Sequence, residues 1–190
     1  LDAQGWLWPK IKRDLYADID HLAEQLGPWD LVFFTGDLTQ KGAADEFETL
    51  EVELKELWKH LARSGKEPQL CVVPGNHDLS RPLQDDPATK AILQLWRSDE
   101  NLRNEFWKID DSPYRAVITR AFQNYSSWLT KSELPLLKAT RNSFPGDFAG
   151  VFTKGNASLG IVGLNSSFLQ LCEGDFNHLL ELHVSQLAVC

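Results

Sequence analysis

The chain contains no methionine, and only three cysteines, Cys71, Cys172 and Cys190, among 190 residues. Cysteines so few and odd in number make no disulfide framework, and a reducing, cytoplasmic setting is expected. Without a methionine, position 1 is no retained initiator, and the chain is expected to be a piece of a longer protein. No apolar run approaches the roughly 20 residues that a membrane-spanning helix requires, and the first residues do not form a signal peptide. Positive charge is also in deficit: 19 Lys and Arg stand against 27 Asp and Glu, for a net charge of −8. That balance disfavours long nucleic acid, whose phosphates need a basic surface. A small phosphorylated ligand stays open, because a bound metal reverses the sign of a local site. Internal repeats and low-complexity tracts are absent.

What is present suffices for a packed core. Hydrophobic residues make up 43% and charged residues 24%, within the ordinary globular range, and the length fits one domain over 1–190. Residues 9–26 open with Pro9 and place Ile11, Leu15, Ile19, Leu22 and Leu26 at helical spacing before Gly27-Pro28, so a helix is expected there. "DLVFFTGDL" is short, apolar and β-capable, and predicts a buried strand. A second amphipathic helix is expected over about 43–63, with Phe47, Leu50, Leu54, Leu57 and Leu61 on one face and Gly65 at its end. "QLCVVPG" then predicts a second strand. Strand, helix and strand in that order form a βαβ unit with parallel strands and a right-handed crossover.

Residues 80 to about 148 differ in character and are expected to form a helical insertion or cap. Two helical stretches are predicted there, over 88–96 and 114–128. The second places Val117, Ile118, Ala121, Phe122, Tyr125 and Trp128 on one stripe, which is either core or a partner-binding face. After "FPGD", two further strands are expected, joined near Gly155 and Asn156 as a hairpin.

The chemistry sits where the first two strands end. "FFTGDLTQKG" closes an apolar run with Gly36-Asp37, and "VVPGNHD" closes the other with Gly75, Asn76, His77 and Asp78. Ligands in open α/β sheets bind outside the carboxyl ends of the strands, so both endings face one crevice. Taken alone, Asp37 serves equally as a helix cap, a ribose anchor or a metal ligand. Gly36 and Gly75 leave room for close approach of a ligand or of backbone. Asn76 offers a carbonyl oxygen suited to a divalent metal, and His77 a group that holds or passes a proton near neutral pH. Asp78 can bond within the turn or bias His77 toward its charged form.

Together, "GDLTQKG" and "VPGNHD" resemble the paired motifs of the calcineurin-like metallophosphoesterases, in the family's order and spacing. "GDLTxxG" followed by the acidic "AADEF" is most similar to the bacterial branch that contains cyclic-nucleotide phosphodiesterases. The Ser/Thr phosphatase branch has further acidic residues after its Gly-Asp where this chain has Thr39-Gln40-Lys41-Gly42. "LGIVGLNSS" is similar to the strand that follows the family's hairpin. The resemblance covers about 5–80 and 148–190, and implies an α/β fold: a layered sandwich, partial here, with a helical insertion after the GNHD motif. It further implies two divalent metal ions (Mn²⁺, or Fe/Zn) and a phosphorylated small-molecule or nucleotide substrate. Asp37 matches the carboxylate that bridges the ions, Asn76 a ligand of the second ion, and His77 the residue that stabilises the transition state or protonates the leaving oxygen. Such an ion pair activates a water and clamps the phosphoryl oxygens.

The family's Asp-x-His, its next His and its Gly-His-x-His have no counterpart. Asp2 is followed by "AQG", His178 and His183 lie in "FNHLLELHVSQL", and His21 and His60 fall on amphipathic helices as surface or half-buried groups. The chain is therefore expected to be a fragment that is weak or inactive by itself as a hydrolase, with the missing ligands on either side of it. The competing expectation is a non-catalytic protein-interaction or signalling module on the same scaffold, its contact surface being the 114–128 stripe. A fused or partner domain outside the chain is a further expectation.

Overall fold

The computed structural model describes residues 8–141, 144–174, 176 and 180–189. Helix α1 (Trp8–Leu26) leads to strand β1 (Leu31–Phe34), helix α2 (Ala44–Leu61) and strand β2 (Gln69–Val72). The strands pair in parallel, from Leu31 opposite Gln69 to Phe34 opposite Val72, as the βαβ reading requires. Alternation along β2 separates two cores: Leu70 and Val72 face the helices, while Cys71 and the partly buried Val73 face a second sheet. That sheet is antiparallel, with β3 (Ala139–Arg141), β4 (Phe148–Lys154) and β5 (Ala157–Gly163) in sequential order. Cys71, Leu137, Phe148 and Ile161 fill the space between the sheets. The result is a layered α/β sandwich, helices on one side of β1–β2 and a sheet on the other.

Helix α1 is less embedded than its periodicity suggests, for it holds no fully buried residue. Polar contacts fix it instead: Trp8 Nε1 donates to Glu53 Oε2 at 2.9 Å, and Lys12 bonds both Glu53 and Glu56. His60 is buried, not a surface group, with Nε2 2.8 Å from Asp20 Oδ1 and its ring stacked on Tyr16. Helix α2 buries Phe47, Leu54, Trp58 and Leu61 against the sheet.

The insertion holds four helices rather than two: α3 (Pro87–Leu95), α4 (Glu100–Lys108), α5 (Pro113–Ala121) and α6 (Gln123–Lys131). Asp86 caps α3, Asp99 caps α4 and Ser112 caps α5, each accepting a backbone N–H of the first turn. The expected single helix over 114–128 breaks at Phe122 (φ −96°, ψ 14°), because the bend serves two ends at once. Phe122 goes into the core, and Asn124 turns back so that its Nδ2 donates to Gly42 O at 2.8 Å. The helical part closes at Lys131. Leu70 N–H donates to Pro135 O and Leu137 N–H to Leu70 O, so residues 135–137 already line the free side of β2 on the way into β3.

The 114–128 stripe is core. Phe122 and Tyr125 are wholly buried, Trp128 nearly so, and the Trp128 ring stacks on Phe47 of α2 with centroids 5.6 Å apart. Tyr125 donates its hydroxyl hydrogen to Val72 O at 3.1 Å, at the end of β2 that leads to the GNHD turn. The stripe therefore gives no support to an exposed partner-binding face. Among the described residues, no helix is long and apolar enough to cross a membrane. Phe122→Ala should lower the unfolding free energy by about 3–5 kcal/mol in urea titrations; a loss under 1 kcal/mol would place Phe122 outside the core.

Candidate functional site

Two loops leave the carboxyl ends of β1 and β2 and pack backbone on backbone. A Cβ on Gly36 would sit 2.8 Å from Gly75 Cα, and one on Gly75 would collide with Asp37 N and Oδ1. Only glycine at both positions lets the tips approach this closely. Asp37 itself has φ +58°, in the left-handed region where most L-residues are strained and where Asp and Asn are best tolerated. Its Oδ1 accepts the His77 backbone N–H at 3.2 Å.

Asp78 stitches the loops from below. It is fully buried; Oδ1 accepts from Thr39 N (2.8 Å) and Thr39 Oγ1 (3.1 Å), and Oδ2 accepts from Gly75 N (2.8 Å). Burial raises its pKa, an effect that those hydrogen bonds offset in part. Thr39, quoted in the motif without a role, is the other half of the clamp. Its hydroxyl also lies 2.8 Å from His77 O and accepts from Gly42 N. Glu46 holds the next turn, its Oε2 accepting from Lys41 N and Ala43 N.

The structure thus brings Asp37, Asn76, His77 and Asp78 together, with Gly36 and Gly75 at the point of contact. Asp37 and His77 are exposed, Asn76 half-buried, and Asp78 turned inward. The His77 ring is anchored by Nδ1, 2.9 Å from the Gln40 carbonyl. A carbonyl only accepts, so Nδ1 carries the proton and Nε2 is the nitrogen offered outward. Asp78 bonds Thr39 and Gly75 and so positions the turn that carries His77. Asn76 lies in the chain between Gly75 and His77, the two residues whose backbone meets Asp37.

Among the described residues, no other histidine joins them. His183 stacks on Trp107 with centroids 4.4 Å apart, and its Nδ1 accepts from Ser185 N. His21 is exposed on α1, and Asp2 and His178 lie outside the described residues. Among the described residues, no three His, Cys, Asp or Glu side chains converge to hold a metal. By donor chemistry alone, Asp37 and Asn76 suit a divalent cation, which prefers hard oxygen.

A family model for calcineurin-like phosphoesterases matches residues 9–156, from α1 through the insertion into the β4–β5 hairpin. The chain belongs to that family. A phosphoesterase-type function, hydrolysis at phosphate esters, comes with this membership, and the family generally binds divalent metals. No curated protein and no solved structure matches the chain.

A second buried carboxylate, absent from the sequence reading, lies close by. Asp147 is 1% exposed; its Oδ1 accepts from Asn165 N (2.8 Å) and Gln186 Nε2 (3.1 Å), while Oδ2 has no hydrogen-bond partner among the described residues. Burial raises its pKa to about 6, against the opposing pull of those donors and of Arg115. The native state therefore holds this proton more tightly than the unfolded chain. The resulting stability is fully present below the unfolded value of 3.8 and lost as pH rises through about 6. Relative to Asp147→Asn, the wild type should gain on the order of 3 kcal/mol between pH 8 and pH 4. Parallel denaturation curves for the two proteins across that range check the sign, and a constant difference would refute it.

Proposed function

We propose that this chain carries part of the active site of a metal-dependent phosphoesterase acting on a phosphate mono- or diester, with a nucleotide or another phosphorylated small molecule as substrate. The observation that carries the reading is the side-by-side placement of Asp37 and the Asn76–His77 pair on two abutting strand tips. Bound divalent cations would supply Lewis-acid stabilisation of the phosphoryl oxygens and an activated water, and Mn²⁺ or an Fe/Zn pair suits the oxygen donors. Asp37 would offer the cations the carboxylate oxygen not taken by the His77 N–H, and Asn76 would offer its amide oxygen. Because the Gln40 carbonyl holds the Nδ1 proton, Nε2 faces the substrate and, in the imidazolium form that carries a proton on both nitrogens, would hand its proton to the departing ester oxygen. Asp78 does no proton chemistry in this reading. It fixes the turn, and hence the height of His77 above Asp37.

Two oxygen donors do not complete the shell of even one hard cation, which takes six or more ligands in most sites. In this reading the described residues alone make a weak hydrolase, because a complete site needs ligands in addition to Asp37 and Asn76. A cytoplasmic location suits the sparse cysteine usage, three residues in 190.

Calorimetric titration with Mn²⁺ should find weak binding by this chain, abolished in Asp37→Asn and kept in His77→Ala. In a longer protein that contains the chain, His77→Ala should lower kcat by about 10²–10⁴-fold with metal content unchanged. Equal turnover by wild type and His77→Ala would end the proton-donor role.

A further inference from the structure

One turn bridges the GNHD loop to the far end of the chain. Residues 144–147, "FPGD", leave the region of β3 and enter β4 at the end of the sandwich that also holds Pro74. Gly146, with φ +92°, lies against the Pro74 ring: a Cβ there would clash with Cδ and sit 2.7 Å from Cγ. On its other side, Asn165 follows β5 and is wholly buried. Its Nδ2 donates to Pro145 O at 3.0 Å, its backbone N–H to Asp147 Oδ1, and its Oδ1 accepts from Ser167 N.

Into this knot comes Gln186, fully buried on the short 3₁₀ turn Val184–Val189. Its Nε2 donates both to Asp147 Oδ1 and to Asn165 O at 3.0 Å, while its Oε1 accepts from His183 N. One carboxylate oxygen thus receives the donors that tie β5 and the 184–189 turn to the Gly146–Pro74 contact. Pro74 immediately precedes Gly75, whose N–H is held by Asp78.

We propose that Asp147 and Gln186 are positioning residues for the GNHD loop. They fix turn 144–147 against Pro74, and so set where Asn76 and His77 stand relative to Asp37. The coupling makes the site depend on the docking of the 184–189 turn, well separated from it in sequence. The consequence for cation binding rests on the phosphoesterase reading; the mechanical coupling does not.

Native-state amide exchange of the 190-residue chain tests it, with readouts at Gly75, His77 and Asp78. Asp147→Ala and Gln186→Ala should each speed exchange at these three amides by about tenfold over any change in the β1–β2 ladder. Asp147→Asn, which keeps the Oδ1 acceptor, should restore exchange to within about twofold of wild type. Leu61→Ala, a core truncation at the opposite end of the βαβ unit, should raise exchange in the loop and the ladder alike. Unchanged loop amides in Gln186→Ala, or a loop response to Leu61→Ala as selective as that to Asp147→Ala, would overturn the proposal. Should Asp147→Ala fail to fold, Gln186→Ala against Asp147→Asn decides it. Mn²⁺ titration adds a second reading, with affinity expected to fall about tenfold in Gln186→Ala and not in Leu61→Ala. A wild type that binds no Mn²⁺ would count against the cation reading alone, and the exchange ratios would still decide the coupling.

Discussion

The whole site depends on how closely two pieces of backbone approach one another. Gly36 and Gly75 meet with no side chain between them, and two aspartates cross the seam in opposite directions. Asp37, from the first loop, takes an N–H of the second; Asp78, from the second, takes the N–H and hydroxyl of Thr39 in the first. Each carboxylate thereby satisfies backbone donors that a tight turn would otherwise leave unpaired. One acid is sealed beneath the loops, and the other remains in solvent. That division gives a rigid base and a reactive face from a pair of chemically identical side chains.

The surrounding layers serve this contact. Parallel pairing of β1 and β2 brings the two loops to the same end of the sheet. The α2 crossover sets their order, and the bend between α5 and α6 carries Asn124 back to the Gly42 carbonyl. Tyr125 grips the last residue of β2 from the helical side, while Gly146 leans on Pro74 from the side of the second sheet. The segment between the GNHD motif and β3 is thus a buttress packed on the βαβ unit, and its aromatic residues face inward because they form that packing.

Much of this was legible in residue order. Strong apolar runs bounded by Gly, Pro and Asp mark β1 and β2, and period 3.6 marks α1 and α2, although only α2 and β2 bury residues fully and Phe33 of β1 stays half exposed. The motif residues stood out because a His between Asn and Asp has no capping explanation. Helix α4 was hidden: "ENLRNEFWK" is two-thirds polar, with Leu102 and Phe106 buried and Trp107 partly so, and its clearest signal was the Asp99 cap. The bend at Phe122 had no sequence mark, since a continuous apolar stripe fits one helix or two. Asp147, Asn165 and Gln186 were illegible for a different reason. Each is an ordinary loop-type polar residue, and only long-range folding makes it a buried partner. "FPGD" and "GLNSS" flagged turns, but not what those turns would meet.

The left-handed backbone at Asp37 has an evolutionary corollary. Asparagine and glycine, the residues most at ease in that conformation, are each one nucleotide substitution from aspartate, whereas a branched aliphatic side chain there would strain the loop. Asparagine would also keep an acceptor for the His77 N–H, whereas glycine would fit the backbone but lose that bond across the seam. A variant with asparagine at position 37 would keep the same silhouette, so the presence of the acid is read from one side chain rather than from shape.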